Sequence, residues 1–208
     1  MTIVQIAGAW WTDTRWGRSR AAAAMNRLAA EGWVHVQRAL ARPIQSFTRP
    51  LLQWRPGQRR PDFHTTARLL HRRAMADARC VKIVLAASRA VALFAAGRAP
   101  TVKLTQMTHD LNVSQLYLDY RRSGLPDRCW TSEDRLPRDW PLRQRPDALL
   151  RTEAGDVVRA IEYGGDYPAS RLAALHAGLS RIGLAYEIWE SDLERRMKRH
   201  QRYLTDRD

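Results

Sequence analysis

Long apolar runs are missing from this 208-residue chain: no stretch of 18 apolar residues occurs, so a membrane-spanning helix is not expected. The N-terminus lacks the charged stretch and apolar run of a secretory leader, and a cytoplasmic protein is the expectation. Cysteine is scarce. Two residues, Cys80 and Cys129, make neither a disulfide framework nor a zinc site, and both are expected as reduced core thiols. No phosphate-binding glycine loop, nucleophile elbow or paired-cysteine metal spacing occurs, which removes ATPase, serine-hydrolase and zinc-finger chemistry. Acids are rare in the first half. Residues 1–104 hold 18 Lys/Arg against 4 Asp/Glu, while residues 105–208 hold 17 of each. The whole net charge of +14 therefore sits in the first half. Such asymmetry points to a polyanion-binding module beside a neutral domain.

The first half reads as a small helix over "TIVQIAGAWW", then a helix from Arg18 to Glu31. Asp13 and Thr14 offer capping oxygens, Ala21, Ala24, Met25 and Leu28 form its inner stripe, and Gly32 ends it. Alternation in "WVHVQRAL" predicts a strand, and "PLLQWRPG" (50–57) predicts its return. Helix plus basic two-stranded ribbon is the outline of a winged helix-turn-helix. The expectation is double-stranded DNA as partner, with Arg18, Arg20 and Arg27 on the helix and Arg38, Arg42 and Arg49 on the wing. "RPDFHTTARLLHRRAM" predicts a helix with Leu69, Leu70 and Met75 inside, and 81–104 predicts a connector, strand then buried helix ended by Gly97 and Pro100. Tryptophans 10, 11, 16, 33 and 54 crowd this half, and packing is the expected role.

In the second half, "THDLNVSQLYLDYRR" predicts an amphipathic helix with His109, Val113, Leu116 and Tyr120 on one face and Asn112, Gln115, Asp119 and Arg122 on the other. A short strand follows through Cys129 and Trp130, then a hairpin of strands 147–151 and 157–163 turning at Ala154-Gly155. A helix after Pro168, a last strand in "LAYEIWE" and a charged tail complete the chain. The expected class is α/β (α+β): an N-terminal winged helix over 1–80, a connector over 81–104, and an αβββαβ domain over 105–208.

That αβββαβ order resembles the PD-(D/E)XK nuclease-like fold, carried by Pro146-Asp147 on one strand and Glu162 on the next. Members that cleave DNA use the aspartate and glutamate to hold Mg²⁺ and a lysine two residues on to handle the attacking water. Here that position is Gly164. Arg171 could replace the charge but is a poor base because it stays protonated, and Glu133 could add a third acid. His109 and His176, on flanking helices, are candidate metal ligands or proton carriers beside a plainer role as packed groups. "LAAEGWV", "PLLQWRPGQRRPDF", "THDLNVSQLYLDYRR", "RPDALL" and "IEYGGDYPASRLAALH" together resemble the replication-relaxation family of plasmids and other mobile elements. The resemblance implies DNA binding in replication, transfer or transcription control and does not settle catalysis; glycine at 164 makes a catalytically degenerate nuclease-like domain with no cofactor the expectation, and a homodimer is left open. The alternative is an active Mg²⁺-dependent DNA endonuclease using Asp147 and Glu162.

Overall fold

A computed structural model describes residues 1–44, 47–73, 77–94 and 103–190. The expected positions of Met75, Gly97, Pro100 and the tail 191–208 lie outside the described residues. The chain divides into two compact units: Met1–Ile44 with Asp77–Leu125, and Gln45–Ala76 with Pro126–Asp208. The class is mixed α and β, with two sheets. Among the described residues, no helix is long and apolar enough to cross a membrane.

The first unit begins with helix α1 (Ile3–Trp10), capped by a reciprocal pair of bonds between Thr2 and Gln5. Helix α2 (Arg15–Ala30) follows after four residues, its start capped by Thr14 Oγ1 accepting from the Gly17 amide at 3.1 Å. Gly32 (φ 75°) ends it in the left-handed region, and Trp33 N then reaches Leu28 O. Strand β1 (Val34–Ala41) pairs antiparallel over its full length with β3 (Arg79–Ala86), not with residues 50–57. The expected connector at 81–104 is thus half of the ribbon. The ribbon is packed on both faces. Val34, Val36 and Val84 meet Ile6, Ala7 and Ala21, while Ala39, Ala41 and Ile83 meet Met107 and Leu111 of helix α5 (Met107–Arg122). A short helix α4 (Ser88–Leu93) follows β3.

Helix α5 is buried along a face different from the expected one. Asn112 and Gln115 lie inside at 1% and 9% exposure. Their amides are satisfied: Asn112 donates to Thr108 O (2.7 Å), and Gln115 accepts from Gln5 and donates to Asp119 (2.9 Å), which in turn takes Arg122 (2.8 Å). Gln5 on α1 also donates to Leu111 O at 2.8 Å, so polar bonds tie α1 to α5. Buried polar groups persist only with such partners.

The second unit is a five-stranded sheet in the order β2-β7-β6-β5-β4. Strands β4 (Trp130–Ser132), β5 (Ala148–Arg151) and β6 (Val157–Tyr163) form an antiparallel meander. Gly155 (φ 97°) makes the predicted turn. Helix α6 (Ala169–Arg181) then crosses back so that β7 (Tyr186–Trp189) runs parallel to β6, and β2 (Leu52–Trp54) adds to the outer edge of β7. Helix α3 (Phe63–Arg73), capped by Asp62, lies beside α6. Leu70, Leu149, Leu172, Leu179, Tyr186 and Ile188 form the core between these helices and the sheet. The segment 45–76, expected in the first domain, therefore completes the second.

Candidate nucleic-acid interface and buried acid pair

Two regions bear on function, one in each unit. In the first, α2 buries Gly17 and Ala21 and turns Trp16, Ser19, Arg20, Ala23, Asn26 and Arg27 outward. No acid lies on that exposed stripe. The nearest acid in sequence, Asp13, is engaged by Arg18 at 2.7 Å. Arg20 lies over the exposed Trp16 ring, 4.5 Å from its centroid. Gly17 is required by closeness: a Cβ there would stand 2.0 Å from the Thr12 carbonyl oxygen. That contact lets the turn after α1 fold tightly against the start of α2.

The ribbon adds a second basic surface. Strand register sets Arg38 directly opposite Lys82, and Leu40 opposite Cys80 on the same face. All four are exposed, Leu40 at 66%. Like charges directly across a strand pair repel, at a cost of a few tenths of a kcal/mol. Among the described residues, neither cation has an acidic partner within 4 Å. An anion lying across the ribbon would relieve that repulsion. Arg42 directly follows β1 and is exposed, its backbone amide donating to Thr108. Arg49 belongs to the second unit, ahead of β2. Lys82 was not foreseen, because the strand that carries it was assigned to a connector.

In the second unit the ladder from Ala148 and Ile161 sets Asp147 and Glu162 at adjoining ends of β5 and β6. Both are buried, at 7% and 3% exposure. Asp147 Oδ2 accepts from the Tyr163 amide at 2.7 Å, and Glu162 Oε1 accepts from the Tyr167 hydroxyl at 3.0 Å. Burial, then the neighbouring Glu162 and Asp147 charges, pushes the Tyr167 phenol far above its usual range, so it holds its proton and serves as donor. Arg171 stacks on the Tyr167 ring at 3.7 Å and donates to its hydroxyl at 2.9 Å. The arginine therefore meets the acid pair through a tyrosine. Tyr167 escaped the sequence reading; its only signal is an aromatic five residues after Glu162, just before Pro168.

Glu133 stands on a 3-10 turn held by Arg145, and its amide donates to the Asp147 carbonyl at 2.9 Å. Its side chain is exposed while the other two acids are buried. Position 164 is closed. A Cβ on Gly164 would lie 2.7 Å from Leu70 and 2.9 Å from Ile188, both 0% exposed. Mg²⁺ asks for several convergent, accessible oxygens. The residues here do not fit it: one oxygen of each acid accepts from an internal donor, and leucine and isoleucine fill the space a lysine would need. Among the described residues, no group of three His, Cys, Asp or Glu could hold a metal ion.

The two histidines fall in different units. His109 lies in the first unit, 3.4 Å from Asp110. His176 bonds the Tyr186 hydroxyl at 3.1 Å among Trp54 and Phe63. Burial and then Arg60 lower its pKa. The tryptophans divide: Trp54 is core, whereas Trp10 and Trp16 are at least half exposed. Cys129 is buried as expected, but Cys80 is exposed. Compared with models of protein families, with curated proteins and with solved structures, the chain matches none.

Proposed function

We propose that this chain is a DNA-binding protein of the replication-relaxation type, whose first unit grips duplex DNA and whose second unit keeps a nuclease-like meander without its chemistry. The observation that carries the reading is the acid-free exposed stripe of α2, with Arg20, Asn26 and Arg27, beside the Arg38–Lys82 couple of the ribbon, which has no carboxylate within 4 Å among the described residues. Two helices at a tight turn followed by a two-stranded ribbon support a winged-helix reading. In that reading α2 enters the major groove, where Asn and Arg match adenine and guanine edges, and the ribbon meets phosphates. The antiparallel meander, crossover helix and parallel last strand support the nuclease-like reading of the second unit. The closed position 164 favours the degenerate form over an Mg²⁺-dependent endonuclease.

Fluorescence anisotropy with a random 20-base-pair duplex tests the binding. Substituting Arg20, Arg27, Arg38 and Lys82 together by alanine is expected to weaken affinity about a hundredfold at low salt, since phosphate contacts dominate such binding. Unchanged affinity sinks the reading. Plasmid nicking with Mg²⁺ or Mn²⁺ that disappears in Asp147→Ala and Glu162→Ala would replace it with the endonuclease.

A further inference from the structure

We propose that the outer face of α6 in the second unit is a separate seat for nucleic-acid backbone, built by Arg143, Arg171 and Arg181. Only the choice of nucleic acid over other polyanions rests on the function proposed above; the groove itself stands on its own geometry. An open cavity of about 890 Å³ lies between α6 and the loop at Leu142–Gln144. Among the described residues, three arginines and Gln144 line it, and no acid does. Among the described residues, Arg143 and Arg181 have no carboxylate within 4 Å, and both are exposed. Unneutralised guanidinium groups around one concavity select an anion with oxygens to fork onto, such as a phosphate.

The spacing selects a linear anion. Arg171 and Arg181 are ten residues apart on one face of α6, about 15 Å along the axis at 1.5 Å per residue. A phosphodiester chain running along the helix can meet both. Between them Ala174 and Ala177 present little side chain, so a strand can approach the helix surface there, while Leu142 packs over Gly178. Leu142 and Leu175 supply an apolar floor for sugars. Arg171 is already oriented by its stacking on Tyr167, which lowers the ordering cost of contact. The neutral overall charge of residues 105–208 hides this groove from a composition count.

The test uses the full chain carrying R143A and R181A, with Arg171 left alone because it packs on Tyr167. Anisotropy with 20-nucleotide duplex and single-stranded DNA is read across a salt series. Removing two phosphate contacts should raise Kd about tenfold at low salt and reduce the slope of log K against log salt by about 1.8 for duplex or 1.4 for single strand. Wild-type affinity and slope in the double variant overturn the inference. So does polyglutamate binding that the two substitutions abolish while DNA affinity holds, which would assign the groove to an acidic peptide. Should the double variant melt early, the single substitutions R143A and R181A carry the test, each with half the change in slope. An R20A/R27A variant is measured alongside. Loss there with none in the groove variant removes only the groove, and no loss in either removes both readings.

Discussion

The two units treat their charged residues in opposite ways. In the first, cations of α2 and the ribbon stand outward with few partners, and Arg38 even faces Lys82 across the strands. In the second, Asp147 and Glu162 are turned inward and bonded by Tyr163 and Tyr167. Exposed charge is hydrated and open to a ligand, and buried, bonded charge is unavailable to one. The contrast assigns ligand contact to the arginines and a structural role to the acids. It also corrects the charge map. Thirteen Lys/Arg against five acids lie in the first unit and twenty-two against sixteen in the second, so the excess is shared as +8 and +6. The segment 45–76, with seven arginines and one acid, brings the whole of the second unit's surplus.

The largest effect expected from breaking this comparison is at Leu70, which closes the acid site from α3. Leu70→Ala should lower the unfolding free energy by about 2–5 kcal/mol, read by urea denaturation. Gly164→Lys comes next, at about 1–3 kcal/mol from overpacking against Leu70 and Ile188. Combined, the two should cost less than their sum, because the alanine makes room for the lysine; strict additivity would mean Leu70 does not fill that position. In the first unit, Gly17→Ala must push back the Thr12 carbonyl. A loss of about 1–3 kcal/mol is expected, together with weaker duplex binding because α2 shifts. Thermal melting and anisotropy on the same sample check both.

The smallest effect sharpens the packing side. His176 has a folded pKa below the usual histidine value of 6.5, so the folded state resists protonation more than the unfolded chain does. Its contribution is complete above about pH 6.5 and declines as pH falls below that value. A His176→Gln variant should therefore lose less melting temperature between pH 7.5 and 5 than the wild type. Equal losses would mean that His176 contributes nothing to the acid sensitivity.

Local structure was legible wherever the signal was local. Thr14, Gly32, Gly155 and Gly183 mark ends and turns that the chain obeys, and Leu172, Leu175 and Leu179 form the stripe that α6 buries. The partner of β1 was not legible from nearness. Residues 52–54 come sooner, yet offer three strand residues, whereas "RCVKIVLA" offers eight to match the eight of β1. Matching lengths outweighed a short connection, because loop closure grows only slowly with length. The inner face of α5 was misread for a related reason: Gln5, the donor that makes Gln115 affordable inside, lies on α1, far away in sequence. At the acid pair, Asp147, Glu162 and the glycine at 164 were singled out by the resemblance to a nuclease-like fold. What closes the gap, Leu70, arrives from the 45–76 segment, and Tyr167 becomes meaningful only once the strand ends are in place.

Amide hydrogen exchange of the full chain, with and without saturating duplex DNA, tests the central claim most directly. The account predicts added protection in the two turns around Gly17, along α2 and in the paired residues 34–41 and 79–86, with the amides next to Asp147 and Glu162 unchanged. Protection concentrated at residues 147–163, with α2 and the ribbon exchanging as before, would contradict it.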